Sequence, residues 1–456
     1  MNFGGRLHYV MPPLARSYLR VWLAIFLFAL AARLGYEALV WHGPLGNPDT
    51  AAYEDLAARI LNFQPYQTSQ GAGPGGFPSD LQRPPGYPAY LAAISAVAHR
   101  HSILSRQVLS LTQCVLGALF ASLLALLVTE LSSLNIGVAA GLFYALDWST
   151  IVYTPIIVSE TLYSIVLGLA ILTYALALSR ESKRLVLLAG LCLGCAALVK
   201  PAAQVLIPAF LLGWFFTRPR RWAGLLFLAA YLVCVFPWMV RNDRTYGSFS
   251  LSRIDVANLY FYIAKPAEHS YSVRDLAGEQ LTSDVQQLDE QWRSRHLTVN
   301  QRSRELLHEA LPIIARHWPT VLKQAAIGFS RTLLGTSSVT AMRSMPSPPS
   351  RAGWVLLNVV PLLQMCLLTA LAIWGCWTPE LSCGLKVLLV GAVFCVLMPA
   401  AGPVAQSRFR LPATPALCIL AAAGAVDILR RTRSRTAGGW GPSRVPRFIV
   451  MESITV

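Results

Sequence analysis

Apolar runs long enough, or nearly long enough, to cross a bilayer recur through this chain near 21–41, 104–129, 134–151, 159–179, 185–199, 202–216, 222–240, 354–376, 384–401 and 411–429. Nothing else in the sequence constrains the fold as much. A crossing helix takes about 20 predominantly apolar residues, and inside hydrocarbon every backbone polar group must be paired within the chain. The runs therefore predict an all-α polytopic membrane protein with about ten transmembrane helices. Composition agrees: 13% of the 456 residues are charged and 55% hydrophobic, with a mean hydropathy of +0.49. A soluble chain is about a quarter charged.

The net charge of +16 would suit nucleic acid if it formed one patch. Much of it lies instead in short clusters beside the apolar runs: Arg6, Arg16 and Arg20, then "SRESKR" (179–184), "TRPRR" (217–221) and "RRTRSR" (430–435). That is the positive-inside pattern, and it predicts a multi-pass protein of the inner (plasma) membrane with both termini cytoplasmic. The segment 185–216 tests the orientation. As one helix it would put "SRESKR" and "TRPRR" on opposite sides. As a hairpin broken at Lys200-Pro201 it puts both inside, and proline favours the break. The nine cysteines lie almost entirely in apolar segments, and Cys192 and Cys195 read as packing residues. The first run leaves through Trp41-His42-Gly43 and not through a small-residue cleavage site, so it is expected to stay in place as a helix.

The expected organisation is a transmembrane module over 1–240 with a first extracytoplasmic loop at 42–103, an extracytoplasmic region over 241–353, further transmembrane helices over 354–430 and a cytoplasmic tail over 431–456. Residues 52–63 have helical periodicity and suit an amphipathic helix at the interface. The spacing in 286–334 favours amphipathic helices over strands, so the extracytoplasmic region is expected to be mainly helical.

With this orientation the polar residues gather on the outer face. Asp49 and Tyr53 follow the first run, and Arg83 with Tyr87 of "PPGYP" precedes the second. Glu160 opens the fourth run, Lys200 sits at the hairpin turn, Arg241 follows the seventh run, and Arg408 and Arg410 precede the last. Cations at a membrane–water boundary suit a phosphate or pyrophosphate head group. A carboxylate there suits deprotonation of an incoming hydroxyl or amine. Each residue also has a plainer reading. Asp49 before helix-like 51–61 is a favoured N-cap, and Glu160 pairs with a neighbouring cation. Asp147-Trp148 reads as a helix end with an interfacial aromatic. Arg33 and Glu37, one turn apart in the first run, read as an intramembrane ion pair. Arg408 and Arg410 alternate along "SRFRLP", which need not turn both to one ligand; Lys200 suits a snorkelling role. The Gly/Pro stretch 69–80 fits an acceptor gate or a simple loop tip.

The order of "PDTAAY", "QRPPGYPAYLA", "SETLYSIVLGLAILTYALAL", "GLCLGCAALVKPAA", "PWMVRNDRTYGSF" and "SRFRLPATP" resembles the GT-C superfamily of integral-membrane glycosyltransferases. Within it the pattern is most similar to bacterial members resembling protein mannosyltransferases and the lipid A aminoarabinose transferase. The resemblance runs to about residue 430. It implies transfer of a sugar, with inversion, from a polyprenyl-phosphate carrier to an envelope lipid, glycan or protein acceptor outside the membrane. It implies that Asp49 activates the acceptor, that Glu160 is the acid opening the fourth span, and that Lys200, Arg408 and Arg410 approach the lipid phosphate. Tyr53, Arg83, Tyr87 and Arg241 complete the expected substrate-binding set. Many relatives carry Asp-Glu where this chain has Asp49-Thr50, so no role carries over for a second acid there. No cofactor is expected with certainty. A divalent metal is possible, though His42, His99 and His101 are scattered and no metal ligands are assigned.

Two other classes compete. A transporter or lipid-carrier flippase places polar residues midway through discontinuous, often repeated helices, whereas most spans here are clean at mid-depth. An envelope oligosaccharide polymerase or ligase uses similar donors and Arg-rich outer sites; the early acid in a long first loop favours the transferase.

Overall fold

A computed structural model describes residues 16–40, 49–67, 77–98, 102–217, 222–269 and 287–437 apart from 289 and 293. The Gly-rich part of the 69–80 stretch, the cluster at 218–221, His42, His99, His101 and residues 438–456 of the tail lie outside these residues. Among the described residues every regular element is helical. The helices are α1 (Arg16–Val40), α2 (Thr50–Leu61), α3 (Ser79–Gln82), α4 (Gly86–Val97), α5 (Ser102–Leu131), α6 (Leu134–Leu146), α7 (Trp148–Val152), α8 (Glu160–Arg180), α9 (Lys183–Val199) and α10 (Ile207–Thr217). They continue with α11 (Trp222–Tyr246), α12 (Ile254–Leu259), α13 (Lys265–His269), α14 (Val299–Arg316), α15 (Trp318–Leu334), α16 (Ser338–Ser344), α17 (Arg351–Trp377), α18 (Cys383–Leu397) and α19 (Thr414–Ala437). Short 3-10 turns at Pro201–Leu206 and Ser407–Ala413 lead into α10 and α19.

Among the described residues, six helices are long and apolar enough to cross a membrane, with three shorter apolar ones at Leu134–Leu146, Pro201–Leu212 and Cys383–Leu397. Lipid and core faces separate clearly. The most apolar stretch of the last crossing helix is 89% buried, whereas that of α17 is only 22% buried. The Ala-rich α19 is thus the axis of the bundle, while α17 turns Leu356, Leu363 and Leu367 outward to lipid. Small residues allow this axis to form: a Cβ on Gly375 would lie 1.9 Å from the Leu420 carbonyl, and one on Gly424 2.2 Å from that of Leu371. Backbones that close replace a hydrophobic driving force that hydrocarbon does not supply.

The segment 185–216 breaks at Lys200, whose backbone is extended (φ −148°, ψ 118°), as its following proline predicts. Gly190 of α9 faces Phe227 and Ala230, and Gly194 faces Tyr231 and Cys234. Both helices therefore advance in the same direction, and the chain between them turns back through α10. A separate small core of Phe77, Tyr260, Phe261, Trp292, Leu306 and Ala310 forms outside the bundle. Its helix α14 starts from a capping box between Thr298 and Gln301, which satisfies two orphan donors reciprocally.

Two sequence expectations need correction. The run 134–151 is not one helix: it stops at Asp147, whose carboxylate accepts from the Thr150 amide at 2.8 Å and starts α7. Arg33 does not pair with Glu37 either. It donates to the carbonyls of Ala29 (3.1 Å) and Ala145 (3.4 Å) and to the Thr150 hydroxyl (3.4 Å), and lies over the Tyr144 ring. The break after α6 frees the Ala145 carbonyl in the apolar interior, and a guanidinium with several donors satisfies it together with the Ala29 carbonyl and the Thr150 hydroxyl.

Candidate active site

Five segments bring charge to one end of the bundle. Asp49 precedes α2, Arg83 leaves α3, Glu160 opens α8, Lys200 ends α9 and Arg408 lies on the 3-10 turn before α19. "RPPG" explains part of the convergence. Pro84 and Pro85 stiffen the exit from α3, and Gly86 packs where a Cβ would be 2.7 Å from the backbone of Leu198 and Val199. Only glycine lets this loop sit on the end of α9, beside Lys200.

The Asp49 carboxylate accepts from Arg83 Nη2 at 2.9 Å through one oxygen and faces Arg408 Nη1 at 3.5 Å through the other. Arg408 Nε also stands 3.8 Å from Glu160, which accepts from Lys200 Nζ at 2.8 Å. One guanidinium thus joins two acid–base pairs into a chain. Asp49 makes no side-chain cap to α2, so its carboxylate serves the cations and not the helix. The Asp49 side chain is 38% exposed while Glu160 is 4% exposed; of the two, only Asp49 is open to a solute. Burial by itself would raise the Asp49 carboxyl, but Arg408, then Arg83, and more distantly Lys200 reverse this and hold it below the usual aspartate value.

Tyr53 lies under Arg83, 5.5 Å from ring centroid to guanidinium, and its hydroxyl donates to Ser159 at 3.4 Å. Burial, then the Asp49 charge, push this phenol up to about 12, so it stays protonated. Tyr87 is fully buried against Tyr53; it is a wall behind the site, not a surface group. Arg410 points the other way. It is 1% exposed and donates to the carbonyls of Thr332, Leu333 and Gly335 and to the Ser149 hydroxyl. On a 3-10 turn residues two apart face different sides; Arg408 therefore turns to the carboxylates and Arg410 into the bundle. Arg241 is taken up by buried Asp80 at 2.8 Å and by the Tyr66 carbonyl, on the far side of Arg83. The sequence reading missed Asp80, Tyr66 and Tyr246. Asp80 was legible as one helical turn before Arg83 in "SDLQRPP"; the two tyrosines carried no local signal.

A divalent metal does not fit this donor set. The two carboxylates already share three cations, Arg83, Arg408 and Lys200. Thr50, next to Asp49, donates its hydroxyl to the Ile157 carbonyl at 3.2 Å. Among the described residues no three His, Cys, Asp or Glu side chains converge as metal ligands. The surplus is positive, which suits an anion.

Residues 82–240 match the profile of the family described as dolichyl-phosphate-mannose-protein mannosyltransferase. No curated protein sequence matches the chain. Among solved structures, the oligosaccharyltransferase AglB from Archaeoglobus fulgidus, solved with an inhibitory peptide and a dolichol-phosphate, superposes with TM-score 0.56 at 14% identity, covering 95% of this chain and 53% of its own. The present chain thus spans about half the length of that protein. ArnT from Cupriavidus metallidurans, bound to undecaprenyl phosphate, aligns at 13% identity over 92% of this chain and 80% of its own, with TM-score 0.38. At that score the alignment carries no geometric weight. The chain therefore shares the fold of that oligosaccharyltransferase and is similar over residues 82–240 to the family described as dolichyl-phosphate-mannose-protein mannosyltransferase.

Proposed function

We propose that this chain is an inverting glycosyltransferase that takes a sugar from a polyprenyl-phosphate carrier at the extracytoplasmic face and transfers it to an envelope lipid, glycan or protein acceptor. The reading places about ten spans in the inner membrane with both termini cytoplasmic. The observation that carries it is the chain Arg83–Asp49–Arg408–Glu160–Lys200, in which one exposed carboxylate lies among cations at a single end of the bundle.

The chemistry follows from the distances. Arg408 is held loosely, at 3.5 and 3.8 Å from its two carboxylates, and its Nε makes no hydrogen bond. Lys200 is 25% exposed. These two cations can turn to the carrier phosphate, while Arg83 stays with Asp49. The acceptor atom attacks the anomeric carbon from the face opposite the phosphate, and its proton passes to Asp49 as the new bond forms. The carbon–oxygen bond to the phosphate breaks in the same step, and the phosphate keeps the electron pair. A lipid phosphate is already a good leaving group, so neutralising it and aligning the acceptor suffice. A carboxylate held among cations is a weak base, so its work is to take the proton late, as the new bond forms.

The test is genetic and chemical. The gene is deleted, and envelope glycans and lipid-linked sugars are profiled by mass spectrometry. The expected result is one lost decoration together with an accumulated polyprenyl-phosphate sugar, restored by the wild-type chain but not by Asp49→Asn. Full restoration by Asp49→Asn would refute Asp49 as the base.

A further inference from the structure

Behind Arg83 lies a second polar knot that the transfer chemistry does not use. Asp80 is 1% exposed and is held from the last turns of α11 by Arg241 Nη2 at 2.8 Å and the Tyr246 hydroxyl at 2.6 Å. Arg241 also donates to the Tyr66 carbonyl and lies over the rings of Trp238 and Tyr246 at 4.8 and 5.3 Å. Tyr66 in turn donates its hydroxyl to the Arg83 carbonyl at 2.9 Å. The loop closes on itself: Asp80 to Arg241, Arg241 to Tyr66, Tyr66 to Arg83, and Arg83 one turn back to Asp80. Within α3 the Arg83 side chain also donates to Ser79 Oγ at 3.2 Å.

This knot fixes Arg83, which stands closer to the Asp49 carboxylate (2.9 Å) than Arg408 does (3.5 Å). All four residues of α3 are buried, and a helix of one turn has little stability of its own. Its place is therefore set from outside, by the charge of Asp80 locked to α11 and by the Tyr66 hydroxyl on its last carbonyl. We propose that Asp80 is a positioning residue, which through Arg241 and Tyr66 holds the Arg83 guanidinium against Asp49. This rests on the reading of Asp49 as the acceptor's base for its meaning, but its geometry can be tested without that reading. The groups facing Asp49 are Arg83 from α3, Arg408 from the 3-10 turn, Lys200 and Glu160 from the bundle, and Tyr53 and Tyr262. Among these described groups, Arg83 is the one that the knot hydrogen-bonds, through the Tyr66 hydroxyl.

The experiment titrates Asp49 directly in the full chain in detergent. A water-soluble carbodiimide with a small amine labels protonated carboxyls, and mass spectrometry reads the label on Asp49 against pH. The Asp49 side chain is 38% exposed, against 2% for the side chain of Asp80 and 4% for that of Glu160, so the reagent reaches it and not these two buried neighbours. Arg83→Gln is expected to raise the midpoint by about one pH unit, as loss of a contacting cation does. Asp80→Asn is expected to raise it most of that way, and Tyr66→Phe, which removes a single hydroxyl and preserves packing, part of the way. The double variant Asp80→Asn/Arg83→Gln is expected to match Arg83→Gln alone. An unmoved midpoint in both Asp80→Asn and Tyr66→Phe while Arg83→Gln raises it would overturn the proposal, as would full additivity in the double variant. A midpoint that Arg83→Gln leaves in place overturns it too. None of these outcomes bears on whether Asp49 takes the acceptor's proton, which the Asp49→Asn complementation decides separately.

Discussion

Arg408 and Arg410 stand two residues apart on one 3-10 turn, yet they belong to opposite kinds of environment. Arg408 shares loose contacts with two carboxylates at the end of the bundle. Arg410 is enclosed by fixed carbonyls at the end of α15 and by Ser149. Arg33 repeats the second arrangement on the carbonyls of Ala29 and Ala145. A cation held by carboxylates can exchange them for a phosphate, because one anion replaces another. A cation held by backbone carbonyls has no such exchange and ties helices together. For these three arginines the identity of the partner, more than the charge, separates the proposed chemistry from architecture.

The sharpest way to break that division is Asp49→Asn. It is expected to reduce transfer by about 10²–10⁴-fold, the usual worth of general-base help, with the melting temperature little changed. A variant that unfolded instead would move Asp49 to the architectural side.

The two arginines give the direct contrast. Arg410→Gln strands several buried carbonyls, each worth about 1–3 kcal/mol, and is expected to lower the melting temperature strongly. Arg408→Gln is expected to leave melting nearly intact and to weaken binding of a polyprenyl phosphate, measured in detergent, by about tenfold for a lost charge-assisted contact. Equal melting losses in both would erase the distinction. Next in size is Gly86→Ala. Its Cβ would meet backbone at 2.7 Å, and such overpacking costs about 1–3 kcal/mol. The expected readout is a modest melting loss with a disproportionate fall in transfer, since the loop carrying Arg83 must rise off α9.

The smallest effect is in pH. Asp49 has a lowered value in the folded protein, so its ionised form, and the stability it confers, are present above the unfolded value of about 3.9 and lost only as pH falls below that through the folded value. The acid limb of transfer due to this group is therefore expected below about pH 4, and Arg408→Gln is expected to move it upward. A limb at neutral pH that ignores Arg408 would show that another group is the base.

The six long crossing helices found among the described residues, of the roughly ten expected, were legible in the sequence, as were the break at Lys200 and the collection of acids and cations at one end, because hydrocarbon forces long apolar runs into helices and proline interrupts them. Asp49, Glu160, Lys200 and Arg408 were legible too, as charges at the ends of such runs. Which of them touch was not. Glu160 and Lys200 are separated by a full hairpin, and Asp49 and Arg408 by 359 residues; contact across that distance is decided by helix packing, and no local pattern encodes it. The alternation of "SRFRLP" left the split between Arg408 and Arg410 open until the 3-10 turn fixed it. The i,i+4 spacing of Arg33 and Glu37 pointed to a pair that the freed Ala145 carbonyl and the Thr150 hydroxyl overrode. Sequence determined what kinds of groups reach the membrane boundary; only the tertiary structure decided their partners, because a charge in a low-dielectric bundle takes whichever partner packing brings within about 4 Å.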